Sequence, residues 1–319
     1  MRALSRINLL CIFFIVGCAS LSATRYPTLR LAKAHPFGAT ALAYNHDGNL
    51  LATGGFYGEV RLWHMPDGAA LLSLPGNQET VRSIIWIDDN SIVSATEDGT
   101  ITAWDLRNKE VTRRLVTTSI ITLARIPNTL TIVVACKNGV LRTYAYPALT
   151  LIAEHNLNAA VRALAVNDDG KSIAVATNDK QVRLFDPQLR MTQSLTPAPR
   201  NVLSLRFSPD SQQLAAGTWF KLLFWDLVTG QQSMRDTEHF GAIISIDYTP
   251  DGKDLVSLGR ISDSSLRLTD VATGQVLSRM APLPLCGWMV RVSPDGHYAA
   301  AGSESGDVQV FDLLTPQPK

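Results

Sequence analysis

The sequence has few residues of the kinds that hold metal ions or carry redox chemistry. Its 319 residues include four cysteines and six histidines. No two histidines have a metal-ligand spacing such as HxxxH, and no cysteine lies beside a histidine. The sequence therefore predicts no metal centre and no other cofactor.

Charge of one sign is not concentrated anywhere in the chain. Lys and Arg total 29 against 28 Asp and Glu, and no block of like charge occurs. A nucleic-acid-binding surface needs clustered basic residues, so no nucleic acid partner is predicted. The 46% of hydrophobic residues, against 18% charged, instead predict a chain that buries a large core.

Motifs of common enzyme classes are missing as well. There is no GxSxG, and Gly54-Gly55 stands at a strand end rather than before a helix, so neither a nucleophile elbow nor a phosphate loop is indicated. The carboxylate pairs Asp88-Asp89 and Asp168-Asp169 occupy turn positions that Pro-Asp fills elsewhere, and turn formation accounts for them. The sequence predicts a protein that is not an enzyme.

No hydrophobic run approaches the roughly 20 residues that a membrane-spanning helix needs. The run from Leu9 to Val16 (LLCIFFIV) has eight residues and follows the basic residues Arg2 and Arg6. A short apolar run behind a positive start is typical of a secretory signal peptide, which is removed from the mature protein. Residues 1–17 are therefore predicted to be a signal peptide and not part of the fold.

The end of this segment, Ile15-Val16-Gly17-Cys18, resembles the lipobox of bacterial lipoproteins. The resemblance implies that Cys18 carries lipid and becomes the first residue after cleavage, and two or more acyl chains anchor a protein stably. The alternative is an ordinary signal peptide that is cleaved a few residues later. Because Ala19 rather than Asp follows Cys18, the resemblance favours an outer-membrane anchor facing the periplasm if the source is Gram-negative. We expect a lipidated tether over residues 18–28.

An internal repeat fills the rest of the chain. A short strand of the pattern apolar-x-apolar-aromatic, usually followed by Asp, occurs seven times: VRLWH, ITAWD, LRTYA, VRLFD, LLFWD, LRLTD and VQVFD. A tight-turn signal rich in Pro, Asp, Asn and Gly keeps step with it in every copy. Two signals in phase predict a repeat architecture with one supersecondary unit per copy.

The repeats resemble the WD40 family of β-propellers, whose units span about 40–45 residues with four strands per blade. SATEDGTITAWDL, from Ser94 to Leu106, is the copy nearest to the family pattern. The resemblance implies an all-β, seven-bladed propeller over residues 29–319. The strand-like segment from Leu29 to Ala34 precedes the first copy, while the last copy lacks an outer strand. We expect this N-terminal strand to complete the last blade and so remove an exposed sheet edge.

The resemblance also implies a hydrogen-bonded network of a His, a Ser or Thr, an Asp and a Trp in each blade. No copy holds all four residues. Blade six has His239, Ser257 and Asp263, but Thr269 replaces the Trp, and blade one has Tyr57 where the Asp belongs. Stability is therefore expected to rest mainly on apolar packing between the blades.

The surface that remains is the candidate functional site. By the family's topology, large side chains replace small polar residues on one face of the ring. Exposed aromatic residues often mark interfaces, although the same residues could fold over the ring and pack locally. The predicted contacts with a partner are Phe56, Tyr57, Arg82, Arg162, Trp219, Phe220, Phe240 and Trp288.

Three hypotheses for function follow. The first is a non-catalytic platform that is held at a membrane of the bacterial cell envelope and binds unidentified protein partners on its propeller face. The second is an assembly factor for envelope or outer-membrane proteins. This hypothesis rests only on analogy of the predicted fold and the predicted location. The third is a cofactor-binding or enzymatic propeller, which would need carboxylates or histidines converging on the channel. Asp247 is the main carboxylate that the first strands supply.

Overall fold

The structure, a computed structural model, describes residues 24–76 and 78–314. The predicted signal peptide and Cys18 lie outside these residues. Within them the chain forms 29 strands and no helix, arranged as seven sheets. The innermost strands of successive sheets contact one another around a closed ring, and the last innermost strand contacts the first. The prediction of an all-β, seven-bladed propeller is confirmed.

Blades one to five are antiparallel sheets of four sequential strands, blade six adds a fifth strand to such a sheet, and blade seven takes one of its four strands from the N-terminal segment. The innermost strands are β3 (Ala39–Tyr44), β7 (Val81–Asp88), β11 (Ile120–Ile126), β15 (Val161–Val166), β19 (Ser204–Phe207), β23 (Ala242–Tyr248) and β27 (Gly287–Val292). The second strands are β4 (Leu50–Gly55), β8 (Ser91–Thr96), β12 (Thr131–Cys136), β16 (Ile173–Thr177), β20 (Gln213–Gly217), β24 (Asp254–Arg260) and β28 (Tyr298–Ser303).

The third strands are the repeated motif that the sequence revealed: β5 (Val60–His64), β9 (Thr100–Asp105), β13 (Val140–Ala145), β17 (Val182–Phe185), β21 (Lys221–Asp226), β25 (Leu266–Asp270) and β29 (Val308–Asp312). The outermost strands of the first six blades are β6 (Ala70–Leu74), β10 (Glu110–Val116), β14 (Thr150–Asn156), β18 (Met191–Ser194), β22 (Gln232–Asp236) and β26 (Val276–Met280).

Burial within a blade follows the distance from the ring axis. The second strand β16 (IAVAT) is buried at every residue because both of its faces pack against neighbouring blades. The outermost strand β18 (MTQS) is exposed at every residue. The hydrophobic core is therefore a set of layers between adjacent blades, such as the layer in which Val182 of blade four meets Trp225 of blade five.

The N-terminal strand closes the ring as predicted. β2 (Leu29–Leu31) pairs antiparallel with β29 and becomes the outermost strand of blade seven. Leu31 is buried in the layer between blades seven and one, and Arg30 forms an ion pair with Asp307. The strand is shorter than the predicted segment, because the chain turns at Lys33, where φ is 51°. Ala34 is nevertheless fully buried.

A further short strand lies before β2. β1 (Thr24–Arg25) pairs parallel with β26 and adds a fifth strand to blade six. The side chain of Arg25 reaches the carbonyl of Asp312 in blade seven, at 2.9 Å. Part of the range predicted as a tether, residues 24–28, is thus held against the rim where blades six and seven meet.

Candidate interaction face

The strand directions divide the connections between two faces of the ring. The segments that lead into the first strands and the turns between second and third strands share one face, which we call the upper face. The turns between first and second strands and between third and fourth strands lie on the opposite, lower face. All eight residues predicted to contact a partner lie at the upper face.

Three of these residues occupy one register of the repeat. Arg82, Arg162 and Trp288 are each the second residue of an innermost strand. In each blade the register to the second strand shifts across this residue, as in a β-bulge. A bulge leaves one residue unpaired and changes the direction of its side chain. The same β-bulge therefore positions all three side chains at the upper mouth of the channel.

The two arginines in this register differ in their partners. Arg82 forms an ion pair with Glu97 of its own blade, at 2.5 Å. Arg162 is exposed and makes no ion pair within the described part of the chain. Of these two arginines, Arg162 is therefore the one whose charge is unpaired among the described residues.

The predicted aromatic residues of blades five and six lie side by side. Trp219 and Phe220 contact each other edge to face, with ring centroids 5.7 Å apart. The amide of Phe220 donates to the carbonyl of Gly241, at 3.0 Å, and Trp219 forms a β-bridge with Ala242. These backbone contacts join the blade-five turn to the segment that carries Phe240.

The contacts continue into blade seven. The hydroxyl of Ser262 donates to the carbonyl of Phe240, at 2.6 Å, and so holds the turn that contains Ile261 against the segment before blade six. The guanidinium of Arg260 lies over the ring of Trp288, 3.6 Å from its centroid. A cation at this distance from a tryptophan face is attracted by the ring quadrupole.

From Trp288 the contacts pass to blade one. Trp288 and Phe56 meet edge to face, with centroids 5.6 Å apart, and Phe37 and Tyr57 do so at 5.8 Å. Gly38 lies against the first pair, since a Cβ at this position would stand 2.4 Å from Phe56. Only a residue without a side chain allows this close approach. The resulting set, which we call the apolar arc, comprises Phe37, Phe56, Tyr57, Trp219, Phe220, Phe240, Ile261, Leu285 and Trp288.

The arc is divided between packed and exposed members. Phe56 and Trp288 are partly covered by each other, as expected if aromatic residues fold over the ring. Phe240 is 74% exposed, Phe37 72% and Ile261 64%. Tyr57, Trp219, Phe220 and Leu285 are also exposed. Some aromatic residues of the arc therefore pack locally over the ring and others are exposed, so both interpretations of the sequence apply, each to a different part of the arc.

Three members of the arc have an unfavourable backbone conformation. The φ angles of Phe37, Phe220 and Ile261 are 62°, 69° and 79°. Positive φ is uncommon for residues other than glycine, and for a bulky or β-branched residue it is an outlier. Such conformations cost of the order of 1–3 kcal/mol each and concentrate at functional sites. Upper-face connections of blades two and four also have positive φ, at Gln78, Asn158 and Lys180, so this conformation belongs to the connections of the repeat and not to the arc alone.

Four arc or arc-supporting residues are absent from the predicted set: Phe37, Arg260, Ile261 and Leu285. Each stands in a connection or at a strand end, where the repeat pattern has no fixed residue type. Their size and apolar character in connecting segments were the available signal for Phe37, Ile261 and Leu285. No sequence signal placed Arg260 on Trp288, because the two belong to different blades.

The polar network of blade one is incomplete. His35 is fully buried, with Nε2 2.7 Å from the Thr53 hydroxyl, which also accepts from Trp63 Nε1 at 2.9 Å. Nδ1 of His35 has no hydrogen-bond partner, and the Glu59 carboxylate is 3.7 Å away. Burial lowers the pKa of His35 to about 4, and the attraction of Glu59 only partly opposes this effect.

Blade six contains a buried His-Ser-Asp arrangement. Nδ1 of His239 lies 2.7 Å from the Asp263 carboxylate, and Nε2 lies 2.9 Å from the Ser257 hydroxyl. Burial raises the pKa of Asp263, but hydrogen bonds from His239 and Ser265 and the charge of Arg267 outweigh it and hold the pKa well below its usual range. Ser257 is fully buried, so its oxygen has no access to a substrate.

Asp247, the main carboxylate of the first strands, also makes structural contacts. Its carboxylate accepts from the amide of Val292 in blade seven, at 2.9 Å, and pairs with Arg206 of blade five, at 2.8 Å. Asp247 is almost completely buried. Its two oxygens thus connect three consecutive blades.

The described residues contain no group of His, Cys, Asp and Glu side chains that could hold a metal ion. Among the same residues no helix is long and apolar enough to cross a bilayer. Cys136 and Cys286 are free thiols, the first buried and the second partly buried. Cys18 is not among the described residues, and its lipidation stays a prediction.

The repeat, the ring of four-stranded blades and the remnants of the blade networks define a WD40-type β-propeller. More particularly, the chain belongs to the propeller family described as "DDB1- and CUL4-associated factor 12 beta propeller", whose profile matches residues 17–283.

Curated relatives are distant in sequence. Periodic tryptophan protein 2 of Arabidopsis thaliana is 24% identical over 88% of this chain and 29% of its own length. Autophagy-related protein 16 of the same plant is 22% identical over 88% of this chain and 48% of its own length. An uncharacterized WD repeat-containing protein of Synechocystis is 26% identical over 51% of this chain and 47% of its own length. The chain thus spans half or less of each of these relatives.

Proposed function

We propose that this propeller is a non-catalytic interaction platform, anchored to a membrane of the bacterial cell envelope by lipid on Cys18. The upper face is the face that makes contacts. Its contact residues include the eight predicted from the sequence: Phe56, Tyr57, Arg82, Arg162, Trp219, Phe220, Phe240 and Trp288.

One observation carries the proposal: exposed apolar side chains concentrate on one face in adjacent blades. Large exposed apolar patches on soluble proteins usually mark interaction sites, whereas single exposed hydrophobic residues need no explanation. The members of the apolar arc lie in the upper-face connections of four adjacent blades, five, six, seven and one. A non-catalytic role fits the polar groups of the described chain, since the carboxylate of Asp247 connects neighbouring blades and that of Asp263 is engaged in the buried network of blade six.

The position of the first described strand supports the anchor geometry. Five residues lie between Cys18 and Thr24, so six residue-to-residue steps join the predicted lipid site to the strand that pairs with the rim of blade six. At about 3.5 Å per residue, they span at most about 20 Å. The free part of the tether is shorter than the predicted range of residues 18–28, because residues 24–28 lie against the rim. A lipid at Cys18 would therefore keep the rim of blades six and seven close to the bilayer.

The anchor is tested by metabolic labelling with a palmitate analogue. Cys18→Ser should lose the label, because the sulfur that forms the thioether is gone, while Cys11→Ser should keep it. Unchanged labelling of Cys18→Ser would refute the anchor. Crosslinking from Arg162 and Arg82 positions in intact envelopes tests the platform, since a protein partner should be captured from these sites and not from Leu130 on the lower face.

A further inference from the structure

Resting on the lipid anchor proposed above, we propose that the apolar arc lies in the interfacial layer of the bilayer. The upper face then has two parts. The arc on blades five, six, seven and one contacts lipid, so six of the eight contact residues proposed above face the membrane. The other two, Arg82 and Arg162 on the polar half of blades two to four, stay available to a protein partner.

The two halves of the upper face differ sharply in exposed apolar surface. Every large hydrophobic side chain that is exposed in the described upper-face loops belongs to blades five, six, seven or one. The corresponding loops of blades two to four present residues such as Thr118, Lys137, Asn158 and Lys180. Phe, Ile, Leu and Trp on protruding loops suit the boundary between headgroups and acyl chains, where Trp and Tyr are enriched.

The charges beside the arc are compatible with an anionic lipid surface. Every carboxylate in the described upper-face loops of these four blades has an Arg or Lys partner: Glu59, Asp236, Glu238, Asp263, Glu304 and Asp307. Lys33 at the blade-one end and Arg200 at the blade-five end are exposed and make no ion pair within the described chain. Unpaired cations are attracted to anionic lipid headgroups.

The path of the chain places the centre of the arc at the membrane. The carbonyl of Arg25 accepts from the amide of Ala281, at 2.7 Å, where the segment leading to Leu285 begins. The lipid-bearing residue would be at most about 20 Å away. Blades six and seven form the middle of the arc, so an anchor of this length brings the arc, rather than the polar half, within reach of the bilayer.

This geometry favours lipid over a protein as the occupant of the arc. A protein partner could approach any part of the upper face, and nothing would require its apolar contacts to centre on the blades that receive the N-terminal chain.

Tryptophan fluorescence provides a direct test. Of the six tryptophans, Trp63, Trp86, Trp104 and Trp225 are buried, which leaves Trp219 and Trp288 as the ones near the surface. The full chain, recovered with its lipid from envelopes, is placed in vesicles of phosphatidylethanolamine and phosphatidylglycerol with brominated acyl chains. We expect bromine to quench the emission, and Trp219→Phe to remove most of the quenchable signal.

Matched variants separate the arc from general hydrophobicity. Phe240→Ser with Ile261→Ser should shift the ratio of docked to undocked protein by at least about tenfold, because each large side chain withdrawn from the apolar layer is worth about that factor. Leu130→Ser with Val228→Ser removes two exposed apolar side chains from the lower face and should leave quenching unchanged.

Three results would overturn the inference: no quenching in the parent chain, equal loss in both double variants, or capture of a polypeptide instead of lipid by a photocrosslinker at position 261. Palmitate labelling on the same samples keeps the two proposals distinguishable. Label without quenching retains the anchor and refutes the lipid-facing arc, whereas quenching without label retains the arc and refutes the anchor.

Discussion

Acidification should destabilise this propeller through one buried histidine. His35 lies between blades one and seven with 1% of its surface exposed, and burial holds its pKa at about 4, against 6.5 for an unperturbed histidine. Since the folded-state pKa is below the unfolded one, the unfolded chain takes up the proton first as the pH falls. The stabilising effect is complete above about pH 6.5 and is lost between that pH and about pH 4.

The magnitude follows from the size of the shift. A difference of one pKa unit is equivalent to about 1.4 kcal/mol, so the shift of His35 corresponds to about 3 kcal/mol of unfolding free energy at pH 4 and below. The imidazole of His35 is fully buried, so solvent screens this effect little. A loss of this size is a large part of the stability of an ordinary domain.

The assay is denaturant unfolding over a series of pH values. The parent chain should lose more stability between pH 7 and pH 4 than His35→Gln, which lacks the titrating group, and the difference should approach about 3 kcal/mol. His46→Gln, at an exposed lower-face turn, is the control for the loss of a histidine outside the core. Imidazole resonances report the pKa of His35 directly.

Two results would refute this reasoning. Parallel curves for the parent and His35→Gln would mean that the proton uptake of His35 does not differ between the folded and unfolded states. A measured pKa above 6.5 would mean that the attraction of Glu59, 3.7 Å from Nδ1, outweighs burial. The sign would then reverse, and His35 would stabilise the fold below pH 6.5 and lose that effect as the pH rises through its folded-state pKa.

Five further substitutions, in three tests, probe the packing of the ring, each by denaturant unfolding at neutral pH. Leu31→Ala should lower the unfolding free energy by about 2–5 kcal/mol, because the closing strand loses its buried anchor, whereas the exposed Leu71→Ala should cost little; equal effects would refute the role of β2 in closure. Thr269→Val removes a buried hydroxyl that has no hydrogen-bond partner, so it should raise the unfolding free energy by about 1 kcal/mol. Thr53→Val leaves the ring nitrogens of His35 and Trp63 unpaired and should lower the unfolding free energy by about 1–3 kcal/mol. A loss of stability at position 269 would show that the Thr269 hydroxyl is paired. Gly306→Ala should cost about 2 kcal/mol or more, since φ is 83° and a Cβ would stand 1.8 Å from the His35 carbonyl; a neutral result would mean that this turn relaxes freely.

The register of the repeat was predictable because each blade is built from local contacts. Strands pair with sequential neighbours, so their spacing is written into a short stretch of sequence. The equivalence of Arg82, Arg162 and Trp288 followed from this spacing, and the structure places all three at the same backbone bulge. The closing strand was predictable too, since the last copy lacked the strand that β2 supplies.

The exposure of individual aromatic residues was not predictable in this way. Phe56 and Tyr57 are adjacent in one turn, yet Phe56 packs between Gly38 and Trp288 while Tyr57 is half exposed and meets Phe37. The difference depends on side chains that other blades and the N-terminal connection supply. β1 was missed for a related reason, because two residues carry too little pattern to predict a strand.

The sequence by itself determined the seven-bladed ring, its closure and the absence of recognisable catalytic motifs. Periodicity and turn chemistry are short-range properties, and they need no knowledge of which blades become neighbours. Only the tertiary structure decided that Trp219, Phe240, Trp288 and Phe37 form one continuous arc. Ring closure brings the first and last blades together, and the contacts between blades then fix which side chains are covered and which face outward.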